Sequence, residues 1–289
     1  MRLAVREDLE RELDWTTVAL VPAERIGAAD IVVRKPGVVA GMRAVAVVLD
    51  EMGATVLLEG AIEDGQQVAA GTRLGRLRGK IRDLLTSERI VLNLLGRMTG
   101  IATLADRYVA RVAGTRARIY DTRKTTPGWR RLEKYAVRCG GAYNHRLGLY
   151  DAVLIKDNHL AQSAEAGQTA GEVAAHAVQR CRQFLAELSA SEAARADLIL
   201  EVEVDSIEQL AAVLPERPDI VLLDNMSVEQ LRECVAMRNA VAPGVELEAS
   251  GGVTLETLAD IAATGVDRIS VGALTHGASS LDVGLDWDR

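Results

Sequence analysis

The sequence predicts an α/β protein with a parallel sheet in its C-terminal two thirds and a mixed α and β region before it. From about residue 116 onward, short apolar runs alternate with amphipathic helical patterns, which is typical of repeated βαβ units. The chain has 289 residues, of which 48% are apolar and 26% charged. That composition is close to an average soluble enzyme and argues against disorder, collagen and coiled coil.

Several classes of protein are excluded by composition. The longest apolar runs, such as Ile220 to Leu223, are far shorter than the ~20 residues needed to cross a bilayer. The first residues contain no apolar core of a secretory signal, so we expect none. A net charge of −7 and only 3% aromatic residues argue against nucleic-acid binding. We therefore expect neither a membrane nor a nucleic acid as a partner.

The three cysteines, Cys139, Cys181 and Cys234, are odd in number and never form a CxxC pair. They support neither a disulfide framework nor a zinc site. We interpret them as reduced thiols in a cytoplasmic protein.

The region up to about residue 100 predicts a separate domain of mixed structure. Helical patterns cover residues 3–13, 43–52 and 81–112, with breaks expected in the last at Gly96 and Gly100. Strand patterns cover residues 55–60 and 72–77, and residues 30–41 resemble a strand, a Pro-Gly turn and a second strand.

The rhythmic region predicts six strands. They lie at residues 118–120, 152–155, 198–200, 220–223, 245–247 and 268–271. Helical patterns lie between most of them, at residues 129–139, 171–188, 207–214, 228–239 and 255–263. Such a series can close into a barrel or stay open as a doubly wound sheet, and six strands do not establish an eightfold barrel.

Each predicted strand ends in charged residues or in a glycine-rich turn. These ends are 121–124, 156–159, 201–205, 224–225, 248–252 and 272–273. In a parallel α/β barrel the C-terminal strand ends converge on one face, where substrates bind. Six consecutive polar strand ends therefore favour an active site over ordinary polar turns.

The residue types at these ends indicate an anionic, phosphate-bearing substrate. Arg123, Lys124 and Lys156 supply the cations that carboxylates and phosphates need. Glu203 and Asp224 follow adjacent strands and could hold ribose hydroxyls or Mg²⁺. The turn Ser250-Gly251-Gly252 precedes a helix expected to start near Thr254, and its backbone could approach a phosphate, although a plain turn remains an alternative.

A basic island supports the same interpretation. Residues 123–146 carry seven basic side chains and a single acid, Glu133, in a protein that is otherwise acidic. A local anionic ligand explains such an island better than a long polyanion does. The alternative, a solvated basic helix face, applies equally well to four of its members, namely Arg130, Arg131, Lys134 and Arg138.

Three of the four histidines, His145, His159 and His276, fall at or near the predicted loops. They follow different strands and lack the HxxxH-type spacing of zinc ligands, so a zinc triad is a poor interpretation. Hydrogen bonding to an anionic substrate is the better one. His176 lies inside a helical pattern and is expected to be structural.

A family resemblance now becomes visible. The motifs that carry it, in chain order, are SERIVLN at 87–93, DTRKTTPG at 121–128, NHRLG at 144–148, LIKDNH at 154–159, EVEV at 201–204, LDN at 223–225 and ASGG at 249–252. Together they resemble the quinolinate phosphoribosyltransferases, also called carboxylating nicotinate-nucleotide pyrophosphorylases. The match covers nearly the whole chain, and the stretch 121–159 is its most specific part.

The resemblance implies the fold of the type II phosphoribosyltransferases. A smaller N-terminal α/β sandwich domain, 1–100, would precede an incomplete parallel α/β barrel of about six strands, 101–275, and the tail 276–289 would return to the first domain. It also implies the reaction of quinolinate with phosphoribosyl pyrophosphate to nicotinate mononucleotide, pyrophosphate and CO₂. This reaction belongs to NAD biosynthesis.

The resemblance further implies a role for each site residue. Arg123, His145, Arg146 and Lys156 would surround the quinolinate carboxylates, with Thr122 beside them. Lys124, Glu203 and Asp224 would face the ribose-pyrophosphate and its metal. The phosphate end would be lined by Ser250, Gly251, Gly252, Gly272, Ala273 and His276. Of these, Lys124, Lys156, Glu203 and Asp224 are expected to be catalytic.

Mg²⁺, held by Glu203 and Asp224 directly or through water, is the expected cofactor, and no organic cofactor is expected. Arg89 would be lent by a neighbouring subunit, so the resemblance implies a homodimer with shared active sites and leaves open a hexamer built as a trimer of dimers. The chain departs from the family pattern at Leu13, where a glycine is usual, and at Ala142, the usual third glycine of a run.

Two rival functions stay open at this point. One is a related enzyme on the same scaffold that uses another pyridine or aromatic acid, such as the family's molybdenum-locus homologue. The full set of cations argues instead for a dicarboxylate. The other is a non-catalytic sensor of phosphorylated metabolites, which would have no reason to keep Lys156, Glu203 and Asp224 together.

Overall fold

The computed structural model of the chain describes residues 1–191 and 198–288. They form two compact units. The first comprises Met1–Asp106, Thr125–Gly141 and the residues from Ala273 onward, and the second comprises Arg107–Lys124 and Ala142–Gly272. The predicted fold class is confirmed, because the second unit contains a six-stranded parallel sheet and a separate α/β unit contains the N-terminus. Among the described residues, no helix has the length and apolarity that a membrane crossing requires.

The first unit contains most of the N-terminal elements. They are α1 (Arg2–Leu9), α2 (Trp15–Leu20), β1 (Ile26–Val33), β2 (Gly37–Val38), α3 (Met42–Glu51), β3 (Val56–Glu59), β4 (Gln67–Val68), β5 (Arg73–Lys80) and the greater part of α4 (Ile81–Arg111). The unit also contains α5 (Arg130–Cys139), α11 (Ala273–His276) and β12 (Val283–Trp287).

The sheet of the first unit is antiparallel and has the order β12-β1-β5-β3. The C-terminal strand β12 pairs with β1, and Leu285 lies opposite Ile31. The predicted strand–turn–strand at 30–41 is present as β1 and β2, but β2 pairs with β4 and not with β1. Ile31, Leu74 and Leu77 are fully buried in the core of this unit.

Helix α4 differs from the sequence prediction because it runs from Ile81 to Arg111 without a break. The two glycines have a packing role instead. A Cβ on Gly96 would lie 2.8 Å from the carbonyl oxygen of Leu281, and one on Gly100 would overlap the carbonyl oxygen of Ser279. The glycines thus allow the C-terminal segment to lie directly against the helix.

The predicted N-terminal helix is also different, because it is divided into two. Helix α1 ends at Leu9, where Glu10 has a φ of 48°. Asp14 then caps α2, and its Oδ1 accepts a hydrogen bond of 3.0 Å from the Thr17 N–H. An aspartate is a favoured helix N-cap, so Leu13 lies in the connection immediately before the cap.

The second unit contains the βαβ repeats. Its elements are β6 (Arg118–Tyr120), β7 (Val153–Ile155), α6 (Asp157–Ser163), α7 (Ala170–Ser191), β8 (Leu200–Val204), α8 (Ile207–Val213), a 3₁₀ turn (Leu214–Glu216), β9 (Ile220–Asp224), α9 (Val228–Val241), β10 (Glu246–Ser250), α10 (Leu258–Ala262) and β11 (Arg268–Ser270). The strand order is β6-β11-β10-β9-β8-β7, and every neighbouring pair is parallel.

Two strands begin later than the apolar runs suggest, and both contain glutamates. Strand β8 is Leu200–Val204 and β10 is Glu246–Ser250, so Glu201 and Glu248 lie within strands. Both side chains are buried. Helix α10 begins at Leu258, and not near Thr254, because Thr254 and Thr257 close a turn by mutual hydrogen bonds. The Ser-Gly-Gly turn therefore does not open a helix.

Candidate active site

A cavity of about 680 Å³ lies at the C-terminal ends of the second unit's strands. The predicted site residues that line it are Thr122, Arg123, Lys124, His145, Arg146, Lys156, Glu203, Asp224, Ser250, Gly251 and Gly252. Its volume is within the range of small-molecule binding sites, ~300–1,000 Å³. The strand ends thus bring cations, carboxylates and a glycine turn to one cavity.

Lys156 and Glu203 form an ion pair in the wall of the cavity. In the parallel pair β7–β8, Ile155 lies opposite Val202, so the next residue of each strand comes side by side. The Lys156 Nζ lies 2.6 Å from the Glu203 Oε2, and the Glu203 side chain is only 13% exposed. The sequence predicted both residues for the site, and the register brings them into direct contact.

Two arginines of like charge share the cavity. Burial lowers the pKa of Arg146, and the neighbouring charge of Arg123 lowers it further. The Arg146 Nη1 donates to the carbonyl oxygen of Ala152 at 3.2 Å. A pair of guanidiniums that repel each other is a favourable binding site for an anion with more than one carboxylate or phosphate group.

His145 is held by two buried glutamates. Its Nε2 lies 3.1 Å from the Glu201 Oε2 and 3.4 Å from the Glu248 Oε1. Burial lowers the pKa of His145, but hydrogen bonds to Glu201 and Glu248 outweigh it and raise the pKa to about 9. The Nδ1 accepts the Arg146 N–H at 2.8 Å, which favours the neutral ring and opposes that shift. The Nε2 carries a proton in both forms.

The two glutamates differ in their surroundings. Burial and the charge of Glu248 raise the pKa of Glu201. Burial would also raise the pKa of Glu248, but His145 and Arg268 outweigh it and lower that pKa. The Arg268 Nε donates to the Glu248 Oε2 at 2.6 Å, so Glu248 has a guanidinium as its counter-charge.

The loop that contains His145 and Arg146 is fixed by Asp121, a fully buried residue at the end of β6. The Asp121 Oδ1 accepts the His145 N–H at 2.8 Å, and its Oδ2 accepts the Asn144 Nδ2 at 2.7 Å. Ala142, which replaces a usual glycine, is fully buried in front of this loop.

The Ser-Gly-Gly turn lies against Asn225. Gly251 has a φ of +91°, and a Cβ there would overlap the Asn225 side chain. The Asn225 Nδ2 donates to the Asp224 Oδ2 at 2.7 Å. Glycine at 251 therefore lets Asn225 orient the Asp224 carboxylate at the cavity wall.

Two sets of carboxylates could attract a metal ion. His145, Glu201 and Glu248 form the one group among the described residues whose ligand atoms all lie within 4.8 Å of one another. Arg268 already neutralises Glu248 there. Glu203 and Asp224 line the cavity on adjacent strands and offer hard oxygen ligands beside space for water and substrate. Their chemistry suits Mg²⁺ better.

The basic island divides between the two units. Arg123, Lys124 and Arg146 belong to the second unit and line its cavity, whereas α5 belongs to the first. On α5, Arg131 and Arg138 are exposed, but Lys134 is 1% exposed, so a solvated face does not describe it. The single acid, Glu133, is buried and bonded to Arg97 at 2.7 Å.

Four predicted site residues are not among the residues that line this cavity. Gly272 ends the second unit, while Arg89, Ala273 and His276 belong to the first unit. Arg89 is exposed and lines a separate cavity of about 240 Å³ with Asn93 and residues 280–283. His159 was expected to bond an anionic substrate. In the structure its Nδ1 accepts the Lys156 N–H at 3.0 Å at the start of α6.

Several residues of the cavity and its floor lie within the predicted strands or strand ends, but sequence reasoning assigned them no role. They are Asp157, Asn158, Asn225, Glu248 and Ser270 in the lining, and Glu201 behind His145. A usable signal existed, since glutamates inside apolar strands are buried only when paired. Glu201 and Glu248 each lie between two apolar residues of a strand and so could have been singled out.

Comparison with known proteins agrees with this geometry. The profile of the quinolinate phosphoribosyl transferase N-terminal domain matches residues 14–99, and that of the C-terminal domain matches residues 101–286. The chain belongs to the quinolinate phosphoribosyltransferase family. The resemblance noted from the motifs is thereby confirmed.

Relatives in the family share most of their length with this chain. The nicotinate-nucleotide pyrophosphorylase [carboxylating] of Mycobacterium leprae is 47% identical, over 99% of this chain and 95% of its own. The probable enzyme of the same name from Bacillus subtilis is 38% identical, over 89% and 82%. The solved nicotinate-nucleotide pyrophosphorylase of Ehrlichia chaffeensis has a TM-score of 0.86 at 33% identity, over 99% and 96%.

Proposed function

We propose that this chain transfers the phosphoribosyl group of phosphoribosyl pyrophosphate to quinolinate, with decarboxylation, to give nicotinate mononucleotide, pyrophosphate and CO₂. It is a pentosyltransferase of NAD biosynthesis, as its curated relatives are named. The observation that carries this function is the cavity in which Arg123, Arg146 and Lys156 lie with Glu203 and Asp224.

The cationic side of the cavity is suited to quinolinate. Quinolinate has two adjacent carboxylates, and we propose that Arg123, Arg146 and Lys156 bind them, with His145 and Thr122 beside them. The mutual repulsion of Arg123 and Arg146, which lowers the pKa of Arg146, would be relieved by a dianion. A monocarboxylate would leave part of this charge unpaired.

The acidic side of the cavity is suited to the ribose. As the ring nitrogen attacks the anomeric carbon and pyrophosphate leaves, positive charge develops on the ribose, and Glu203 and Asp224 can stabilise it. The attacking nitrogen has no proton to lose, so no general base is required. The product pyridinium stabilises the carbanion formed on loss of the 2-carboxylate.

Lys124 and the backbone N–H groups of the Ser250-Gly251-Gly252 turn would bind phosphate oxygens. Gly272, Ala273 and His276 remain predicted members of the phosphate end.

Mg²⁺ fits the carboxylates of this site. Glu203 and Asp224 would hold it, directly or through water, and bound Mg²⁺ would neutralise the charge of the leaving pyrophosphate. The Lys156 Nζ occupies one oxygen of Glu203 at 2.6 Å, so the second oxygen of that carboxylate is the better ligand. No organic cofactor is required by the chemistry.

The active unit is proposed to be a homodimer in which Arg89 reaches the partner's site. Supporting this, Arg89 is exposed on α4 within the first unit, while the cavity belongs to the second. The proposal leaves open a hexamer built from three such dimers. We also propose a cytoplasmic location, in line with the three free cysteines.

Product analysis tests the function. The chain, incubated with quinolinate, phosphoribosyl pyrophosphate and Mg²⁺, should form nicotinate mononucleotide, detected by chromatography and mass spectrometry. Lys156→Ala should abolish most of this product. Arg131→Ala, which removes an exposed charge of the same basic island on α5, should not. Absence of the nucleotide with the wild-type chain would exclude the proposed function.

A further inference from the structure

We propose that Glu201 is a positioning residue of the carboxylate-binding pocket: it orients the ring of His145 and, through that ring, the main chain of Arg146. This inference rests on the proposed function, because it concerns how the same pocket binds quinolinate. The residue was not among those the sequence suggested, and it does not itself line the cavity.

The place of Glu201 in strand β8 is the first observation. Side chains at i and i+2 of a strand lie on the same face, so Glu201 shares a face with Glu203 of the cavity. Its side chain is only 1% exposed, whereas that of Glu203 is 13% exposed. A buried carboxylate is unfavourable unless it is paired. The partner within 3.1 Å is the Nε2 of His145.

His145 is bonded on both edges of its ring, which is the second observation. Its Nε2 lies 3.1 Å from a Glu201 oxygen and 3.4 Å from a Glu248 oxygen, and its Nδ1 accepts the Arg146 N–H at 2.8 Å. The bond from the Arg146 N–H requires an unprotonated Nδ1, so the linked arrangement is that of the neutral ring with its proton on Nε2. The ring therefore links a buried carboxylate to the amide of the next residue.

The bonded ring of His145 helps to position the Arg146 guanidinium. Arg123 repels it, and its position depends on its bond to the Ala152 carbonyl oxygen and on the position of its own main chain. Asp121 fixes the loop at the His145 N–H, and the imidazole fixes it at the Arg146 N–H. Without Glu201 the imidazole loses the closer of its two carboxylate partners, and Arg146 can move away from the substrate carboxylate. The structure thus assigns Glu201 a part in quinolinate affinity without substrate contact.

Kinetics of three variants test this role. Glu201→Leu, which removes the acceptor, should raise the quinolinate KM about tenfold, in keeping with the loss of one well-oriented charged hydrogen bond. The KM for phosphoribosyl pyrophosphate should stay within about twofold. Glu201→Gln, which keeps an acceptor oxygen, should restore most of the affinity. Glu208→Gln, a control at an exposed glutamate of α8, should behave as the wild type.

A double variant distinguishes action through His145 from a general structural effect. In a His145→Ala background, Glu201→Leu should add no further increase in the quinolinate KM, because the two residues act in series. Additive effects, equal increases in both KM values, or no rescue by Gln would each overturn the inference. Failure of the proposed function has a different outcome, since the wild-type chain would then not turn over quinolinate at all.

If Glu201→Leu does not fold, a measurement on the wild-type chain tests the inference instead. Nitrogen-15 NMR of histidine-labelled protein should find the Nε2 of His145 protonated and hydrogen-bonded from about pH 6 to 8, with the resonance assigned by its loss in His145→Ala. An unprotonated Nε2, or a protonated Nδ1, in that range would overturn the inference.

Discussion

The Nζ of Lys156 and the Oε2 of Glu203 lie 2.6 Å apart, at the neighbouring ends of β7 and β8. The Lys156 side chain is 43% exposed, so the pair contributes little to stability, ~0–1 kcal/mol. Both side chains line the cavity. Under the proposed function, binding of a carboxylate by Lys156 would leave Glu203 open toward the ribose and Mg²⁺.

Replacing Glu203 should affect the metal requirement. Glu203→Gln should lower kcat about a hundredfold, the scale of removing one group that stabilises developing charge. The Mg²⁺ concentration for half-maximal activity should rise, while quinolinate binding, measured by calorimetry, should persist. Glu208→Gln, an exposed glutamate on α8, is the control. An unchanged Mg²⁺ dependence would remove Glu203 from the metal site.

Replacing Arg146 should weaken quinolinate binding without unfolding the chain. Arg146→Ala should lower kcat/KM for quinolinate. The loss should correspond to ~1.5–3 kcal/mol of transition-state binding free energy, the value of one charge-assisted contact with a carboxylate. The melting temperature should not fall much, because the repulsion from Arg123 disappears together with the side chain. Arg123→Ala should have a similar kinetic effect. Wild-type kinetics in both variants, with Arg131→Ala as reference, would exclude them from the site.

Shared active sites predict complementation between two inactive variants. Arg89→Ala and Lys156→Ala should each be nearly inactive alone. Random subunit exchange makes half of the dimers mixed, each with one intact site of two, so about a quarter of wild-type activity should return. If mass spectrometry finds exchanged dimers and the mixture stays inactive, Arg89 is not shared between subunits.

Much of the fold was predictable because its signals are local. Apolar runs that end in charged residues located β6, β7 and β9, and the polar ends located the Lys156–Glu203 pair and the Ser250-Gly251-Gly252 turn. The domain division near residue 100 and the roles of the site residues remain predictions.

The failures come from tertiary contacts that a local pattern cannot reveal. Gly96 and Gly100 suggested helix breaks, but they accommodate a segment about 180 residues further along the chain. The predicted strands stop just before Glu201 and Glu248, because charged residues are usually exposed and indicate strand ends. In the structure both strands continue through them. Their pairing with His145 and Arg268 depends on four strands or loops meeting, which only the folded chain shows.

Release of labelled CO₂ from quinolinate that carries the label in its 2-carboxylate is the most direct test of the function. Release should require phosphoribosyl pyrophosphate and should equal the pyrophosphate formed. Nicotinate, which lacks the 2-carboxylate, should be used with a much lower kcat/KM, because it leaves part of the positive charge of Arg123, Arg146 and Lys156 unpaired. Release without the phosphoribosyl donor, or equal use of nicotinate and quinolinate, would contradict the assignment.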